Sequence, residues 1–463
     1  MNRSLLKSDI LSEVKACLHL AIPLAAAQLA QAATNFFDTL MMGWLGTQTL
    51  AAGALGAISF STFLLIITGI ISVVGALAAV AFGSGQIDRV SRLACQGLWL
   101  STALSIPVMI LLWYSGPILM LMGQEASNVI LAETYLRAIV WGFPAAMGFA
   151  VLKNVVSALN QPNSVMLITV SGVSLNVVGN YILMFGKLGF PALGLAGIGW
   201  ASTISFWVTF VAAISFIFIN PKLRSYQIFR SLFKFDLKLF RELVRMGWPI
   251  GILFTLETGL FAITTFLMGY LGTVTLAAHQ IALQTAAITF MVPVGISYAT
   301  TIRVGQMVGR NDAEGARLSG YVGIGIGVCF MTCTALLFWT IPDRIVAMYI
   351  DTNNPENLSV VKTAISLLGV AAMFQIFDGM QVIAAGALRG LKDTKVPMLI
   401  GFFSYWCVGL FSGYLLGIQL NWGGVGLWLG LVLGLAVTSV TLTWRFTVVS
   451  GELRRSYSNR QGG

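Results

Sequence analysis

Three carboxylates, Asp38, Glu257 and Asp378, stand inside otherwise apolar stretches, while the other 14 of the 17 acidic residues fall in loops, at termini or at helix ends. An ionised carboxylate without a partner is strongly disfavoured in an apolar medium. Each of the three must therefore be protonated, hold a cation or pair with a base. The apolar stretches offer few bases (Arg137 and Lys153, near the ends of one of them), which leaves protonation or Na⁺ binding, in a coupling-ion role or, as the alternative, in structural hydrogen bonding. A polar stripe leads to Asp38: Gln28, Gln31, Asn35 and Asp38 fall at i, i+3, i+7 and i+10, on one face of a helix above Pro23. Glu257 follows Pro249 by about two turns, and Asp378 has Gln375 and Gln381 one turn to either side. Asn176 and Asn180 share a face at i, i+4, so their carboxamides can bridge to Asp38 or serve as glue between helices. Gln284 adds a polar group to a helix that starts near His279 and Gln280, where the lone histidine is read as packing. Pro23 and Pro249 each remove a backbone hydrogen bond and mark expected helix bends.

The elements that must hold these groups are membrane helices. Of 463 residues 57% are apolar and 10% charged, against roughly 25% charged in soluble chains, and the mean hydropathy is +0.85. Twelve spans are read at 16–40, 50–82, 93–115, 131–155, 164–186, 192–219, 244–270, 276–308, 318–341, 358–386, 396–418 and 424–448. The only long polar connection, Asn220 to Arg245, carries seven cations and divides the spans six and six. The expected architecture is an all-α membrane protein with an N-terminal lobe at 1–219, a basic linker at 220–245 and a C-terminal lobe at 246–463.

The formal charge of +10 does not point to nucleic acid, because the cations sit in short connections rather than on a solvated face. Counted by side, 23 of the 27 lie on one side of the membrane and four on the other (Arg137, Lys187, Arg344, Lys362), so both termini and the central loop are expected in the cytoplasm. Met1 to Lys15 is mixed in charge and runs into a full-length apolar span with no small-residue cleavage site, so it is not expected to be a removable signal peptide. Cys17, Cys95, Cys329, Cys333 and Cys407 show no metal-ligand spacing, and Cys329 with Cys333 reads as ordinary helix packing. Gly323, Gly325 and Gly327 lie inside an apolar span and read as close packing rather than a nucleotide loop. No phosphate-binding loop, nucleophile triad or metal cluster argues for an enzyme or a cofactor.

An internal repeat supports the six-plus-six division. Met42-Gly-Trp-Leu-Gly-Thr-Gln-Thr-Leu-Ala-Ala52 matches Met268-Gly-Tyr-Leu-Gly-Thr-Val-Thr-Leu-Ala-Ala278 at nine of eleven positions, at an offset of 226 that also carries Pro23 onto Pro249. At an offset of 229, Gly194 and Gly197 match Gly423 and Gly426. Each half has an even number of spans, so the repeats are parallel, related by a pseudo-two-fold along the membrane normal, and a central cleft is expected.

Taken in order, Pro23, Asp38, the Met-Met-Gly43-Trp-Leu-Gly46 run, Asn176, Asn180, Leu256-Glu257-Thr258, Met268-Gly-Tyr-Leu-Gly272, Asp378 and Gly386-Ala-Leu-Arg389-Gly-Leu-Lys-Asp-Thr394 resemble the multidrug and toxic compound extrusion (MATE) transporters, NorM-like branch, over essentially the whole chain. The resemblance implies H⁺- or Na⁺-driven antiport of amphipathic, often cationic, organic compounds out of the cell; a monomer in the cell membrane is expected. It places coupling-ion binding at Asp38 in one lobe and at Glu257 and Asp378 in the other, with Na⁺ held by the latter pair as one alternative. Gln31, Asn35, Asn176, Asn180, Gln284 and Gln375 would line the substrate cavity. Some relatives carry a tyrosine one turn before the last aspartate, where this chain has Phe374. A flippase for lipid-linked oligosaccharides, from a related two-lobed family, is the competing reading, and it would want a cleft lined with cations.

Overall fold

The computed structural model describes residues 3–352 and 354–461; the outermost residues of both termini, and with them the ends of the two expected lobes, lie outside the described residues. It is helical throughout, as lipid requires, because a spanning segment must satisfy its own backbone N–H and C=O groups. Among the described residues, twelve helices are long and apolar enough to cross a membrane: α1 Asp9–Trp44, α2 Thr47–Gly83, α3 Ile87–Trp113, α4 Ala126–Ala158, α5 Pro162–Phe185, α6 Leu195–Ile219, α7 Leu237–Tyr270, α8 Thr273–Gly309, α9 Ala313–Thr340, α10 Pro355–Gly390, α11 Lys395–Gln419 and α12 Gly423–Tyr457. Most agree with the sequence ranges to within several residues; α1, α3, α7 and α12 run further at one end.

The repeat is visible in backbone conformation. Gly46 and Gly272, 226 positions apart, precede α2 and α8 with φ of 118° and 116°. Only glycine adopts that conformation without strain, which accounts for its presence in both copies. Gly194 and Gly423 enter the last helix of each half at φ 55° and 60°.

The chain packs as two compact units, Ala26–Gly251 (the N unit) and Met1–Ala25 with Ile252–Gly463 (the C unit). The division therefore falls inside α1 and α7 rather than in the 220–245 linker. Both crossings come three residues after a proline, Pro23 and Pro249, and they too are 226 residues apart. Specific contacts hold the exchanged segments. In the C unit, Glu13 of α1 pairs with Arg303 of α8 at 2.5 Å and accepts from Ser319 Oγ of α9 at 2.7 Å. Gly295 packs so closely on the Ala25 backbone that a side chain there would collide with it. In the N unit, Gly247 and Gly251 of α7 press on Ile70 of α2.

Glycines also set the packing elsewhere. Gly413 and Gly430 bring α11 and α12 into backbone contact. Gly323 and Gly327 seat Thr300 and Ile383 against α9, as close packing anticipates, whereas Gly325 faces open space. Cys329 and Cys333 are exposed on α9 rather than packed inside. Of the 23 cations assigned to one side, Lys153 and Arg389 prove to be buried within α4 and α10 instead of lying in connections.

Candidate functional site

Each unit contains a buried carboxylate network. In the N unit, α1 delivers Asp38, the buried end of the polar stripe, to α5. Asn180 Nδ2 donates to Asp38 Oδ1 at 2.5 Å and to Asn176 Oδ1 at 3.2 Å, and Asn176 Nδ2 donates to Ser202 Oγ of α6 at 3.0 Å. The i, i+4 spacing of the asparagines creates this relay, since it stacks the two amides on one face of α5. Asp38, Asn176 and Asn180 are all at least nine-tenths buried. Asn180 Oδ1 is buried without a hydrogen-bond partner. Lower on the stripe, Gln28 accepts from Lys153 Nζ of α4 at 3.5 Å. Gln31 and Asn35 lie exposed and outside the relay, as do Ser171 and Ser174 of α5.

In the C unit, α7 supplies Glu257, α10 supplies Asp378 and Gln381, and α11 supplies Tyr405. Gln381 Nε2 donates to Glu257 Oε1 at 3.0 Å and to Asp378 Oδ1 at 3.4 Å, so one amide nitrogen bridges both acids. Tyr405 OH donates to Gln381 Oε1 at 2.7 Å and fixes the direction of that amide. Tyr405 lies in Phe403–Leu410, a π-helical stretch whose wider winding turns residues away from the α-helical register. Gln375, one turn before Asp378, accepts from Thr289 Oγ1 of α8 at 3.0 Å and leaves its buried Nε2 unpartnered. Gln284 of α8 is exposed and joins neither network.

Sequence reasoning did not single out Tyr405, which sits in an apolar run with no polar periodicity, and it treated Gln381 only as a flanking residue. The three-residue step from Asp378 to Gln381 was the available signal. Phe374, where a hydroxyl was noted as missing, packs edge-on to Trp428 and Phe261 with ring centroids 5.2 and 5.9 Å apart, while a tyrosine hydroxyl reaches the same network from Tyr405 instead. His279 is a packing residue: its Nδ1 accepts from Trp428 Nε1 at 3.2 Å and its Nε2 meets Thr265 Oγ1 at 3.0 Å. Both ring nitrogens are occupied, which fixes a neutral tautomer.

Twelve spans in two repeated halves, each with a carboxylate–amide network buried among its helices, define a multi-pass transporter of the parallel-repeat kind. A family model, MatE, matches residues 23–182 and again 249–415, the two matches starting 226 residues apart. The chain belongs to the MATE family. Among curated relatives it is 41% identical over 438 residues to "Probable multidrug resistance protein NorM" of Synechocystis sp., covering 95% of each chain. It is 42% identical over 435 residues to the protein of the same name from Pseudomonas putida, covering 94% of each. The fold matches a crystal structure of the eukaryotic MATE transporter AtDTX14 at a TM-score of 0.84 and 20% identity, covering 97% of this chain and all of that one. It also matches an outward-facing multidrug resistance MATE transporter at a TM-score of 0.87 and 18% identity, covering 96% of this chain and 97% of that one.

Proposed function

We propose that this protein exports amphipathic, often cationic, organic compounds in exchange for H⁺ or Na⁺, acting as a monomer in the cell membrane with both termini in the cytoplasm. The Glu257–Gln381–Asp378 bridge carries the reading: two carboxylates held by one amide nitrogen form a site for a single positive charge, a shared proton or a Na⁺. Asp38, in a network of its own in the N unit, is the acid available to a cationic substrate. Uptake of the coupling ion weakens the hold on the substrate, and the difference in affinity between states drives the cycle. The multidrug resistance names of relatives near 40% identity support the substrate class. The acid-and-amide character of both networks favours an organic cation over the pyrophosphate that a flippase would carry.

The test is transport of a fluorescent organic cation by purified protein in proteoliposomes, with an imposed H⁺ or Na⁺ gradient. Flux that follows one of these gradients, and disappears in Asp378→Asn, is expected. Flux indifferent to both gradients refutes coupled antiport.

A further inference from the structure

The segment between α6 and α7 is not a free tether. Side chains of α3 hold its backbone: Ser91 Oγ donates to Gln227 O at 2.9 Å, Gln96 Nε2 to Lys234 O at 2.9 Å and Trp99 Nε1 to Leu232 O at 2.9 Å. Where this segment meets the α2–α3 turn, a pocket of about 550 Å³ opens, lined in part by Gln86, Asp88, Arg89, Arg92, Tyr226 and Arg230. Residues 85–92 and 220–245 together carry nine cations against three acids. Arg89, Arg92 and Arg230 do have acidic neighbours, Glu242 at 3.3 Å, Asp236 at 3.4 Å and Asp88 at 3.8 Å. The Arg89 pair is half-buried and the Arg92 and Arg230 pairs are more open to solvent, so the guanidinium groups, Arg92 and Arg230 above all, can be recruited by a stronger anion.

The repeat sharpens the contrast. Asp312, 226 residues after Gln86, starts α9, and its carboxylate caps that helix by accepting from Gly315 N. Gln86 occupies the equivalent position before α3 and makes no side-chain cap. The N unit thus leaves open, beside three arginines, a helix start that the C unit fills with its own carboxylate. A few residues further along, the same segment displays large apolar side chains: Phe233 is 94% exposed, Leu237 is exposed, and Phe235, also exposed, sets its ring edge-on to Trp99 next to Asp236, the partner of Arg92.

We propose that this pocket binds the phosphate of an acidic phospholipid at the membrane surface, with Phe233 and Phe235 seated among the acyl chains beside it. Basic groups with adjacent aromatic residues are what an anionic headgroup and its interface select, whereas a free phosphate ion makes no use of the aromatic residues. Lipid binding at this pocket is independent of what the protein transports.

Native mass spectrometry of the detergent-solubilised full chain, given equal phosphatidylglycerol and phosphatidylcholine, tests it without a transport readout. The parent should retain the anionic lipid preferentially, by about fivefold for each engaged cation. Arg89→Gln/Arg92→Gln/Arg230→Gln should bring the ratio toward one, Arg→Lys at the same positions should keep most of it, and Phe233→Ser should lower it. A parent with no headgroup preference overturns the proposal whatever the variants do. So does a glutamine variant that keeps the full preference, or displacement of the lipid by millimolar inorganic phosphate, which would mark a free-anion site.

Discussion

Asn180 spends one amide nitrogen on two acceptors, Asp38 at 2.5 Å and Asn176 at 3.2 Å, while its own buried oxygen has no partner. This amide can serve either form of the acid. As drawn, it donates to a carboxylate; rotated by half a turn, it would accept the O–H of a protonated acid. Asn180→Leu removes both options and should lower efflux at least as severely as Asp38→Asn, with membrane levels near the parental value. Substrate resistance assays normalised to immunoblots check this, and a parental rate in both variants excludes the N-unit relay from the cycle.

Because one amide joins Glu257 to Asp378, the two acids should fail together. Glu257→Gln/Asp378→Asn is expected to be scarcely worse in ion-coupled efflux than either single change, and losses that add in log rate would mean two separate sites.

Tyr405→Phe deletes the hydroxyl that orients Gln381 without altering the charge of the network. Loss of one buried neutral hydrogen bond is worth about 1 kcal/mol, so coupled transport should fall about fivefold and remain measurable. An unchanged ion affinity in the liposome assay would show that Gln381 holds its direction without help.

The Glu13–Arg303 pair tests the exchanged helix segment. Glu13 is buried and Arg303 nearly so, so Arg303→Met strands a carboxylate and should cost about 3 kcal/mol, seen as a lower melting temperature in detergent. Glu13→Leu/Arg303→Met should recover most of that loss. If the single change is silent, residues 9–25 are not anchored by this contact.

Orientation is checked by labelling, in a background without the native cysteines. Ser231→Cys should resist an impermeant thiol reagent on intact cells and Asn354→Cys should react. The reverse pattern would invert the topology drawn from the cation asymmetry.

Much of this structure is legible in the residues because the membrane makes simple demands. Twelve spans follow from hydropathy and length alone, and the repeat follows from identities such as Gly46 with Gly272, each required by a positive φ. The Asp38–Asn180 contact was readable because a polar group in lipid needs a partner, and α5 had two at helical spacing. Gln31, Asn35 and Gln284 follow the same polar logic and are exposed outside the two buried networks, since periodicity gives a shared face and not what covers it. Tyr405 was hidden because its orientation depends on π-helical winding, which has no marker in an apolar run. The exchange of residues 1–25 was hidden for another reason: it rests on pairings such as Glu13 with Arg303, 290 residues apart, which no local pattern encodes.

That exchange bears on how the protein is made. The N unit is one uninterrupted stretch, Ala26–Gly251, and all its parts have been synthesised before most of the second half emerges from the ribosome. The C unit needs both ends of the message, so its first helix segment is translated earliest and is completed last, with Glu13 waiting for Arg303 and Ser319. A gene cut in the central loop would therefore not yield two self-sufficient halves. Its second fragment would lack residues 1–25 of its own unit, and its first would carry them with nothing to pack against.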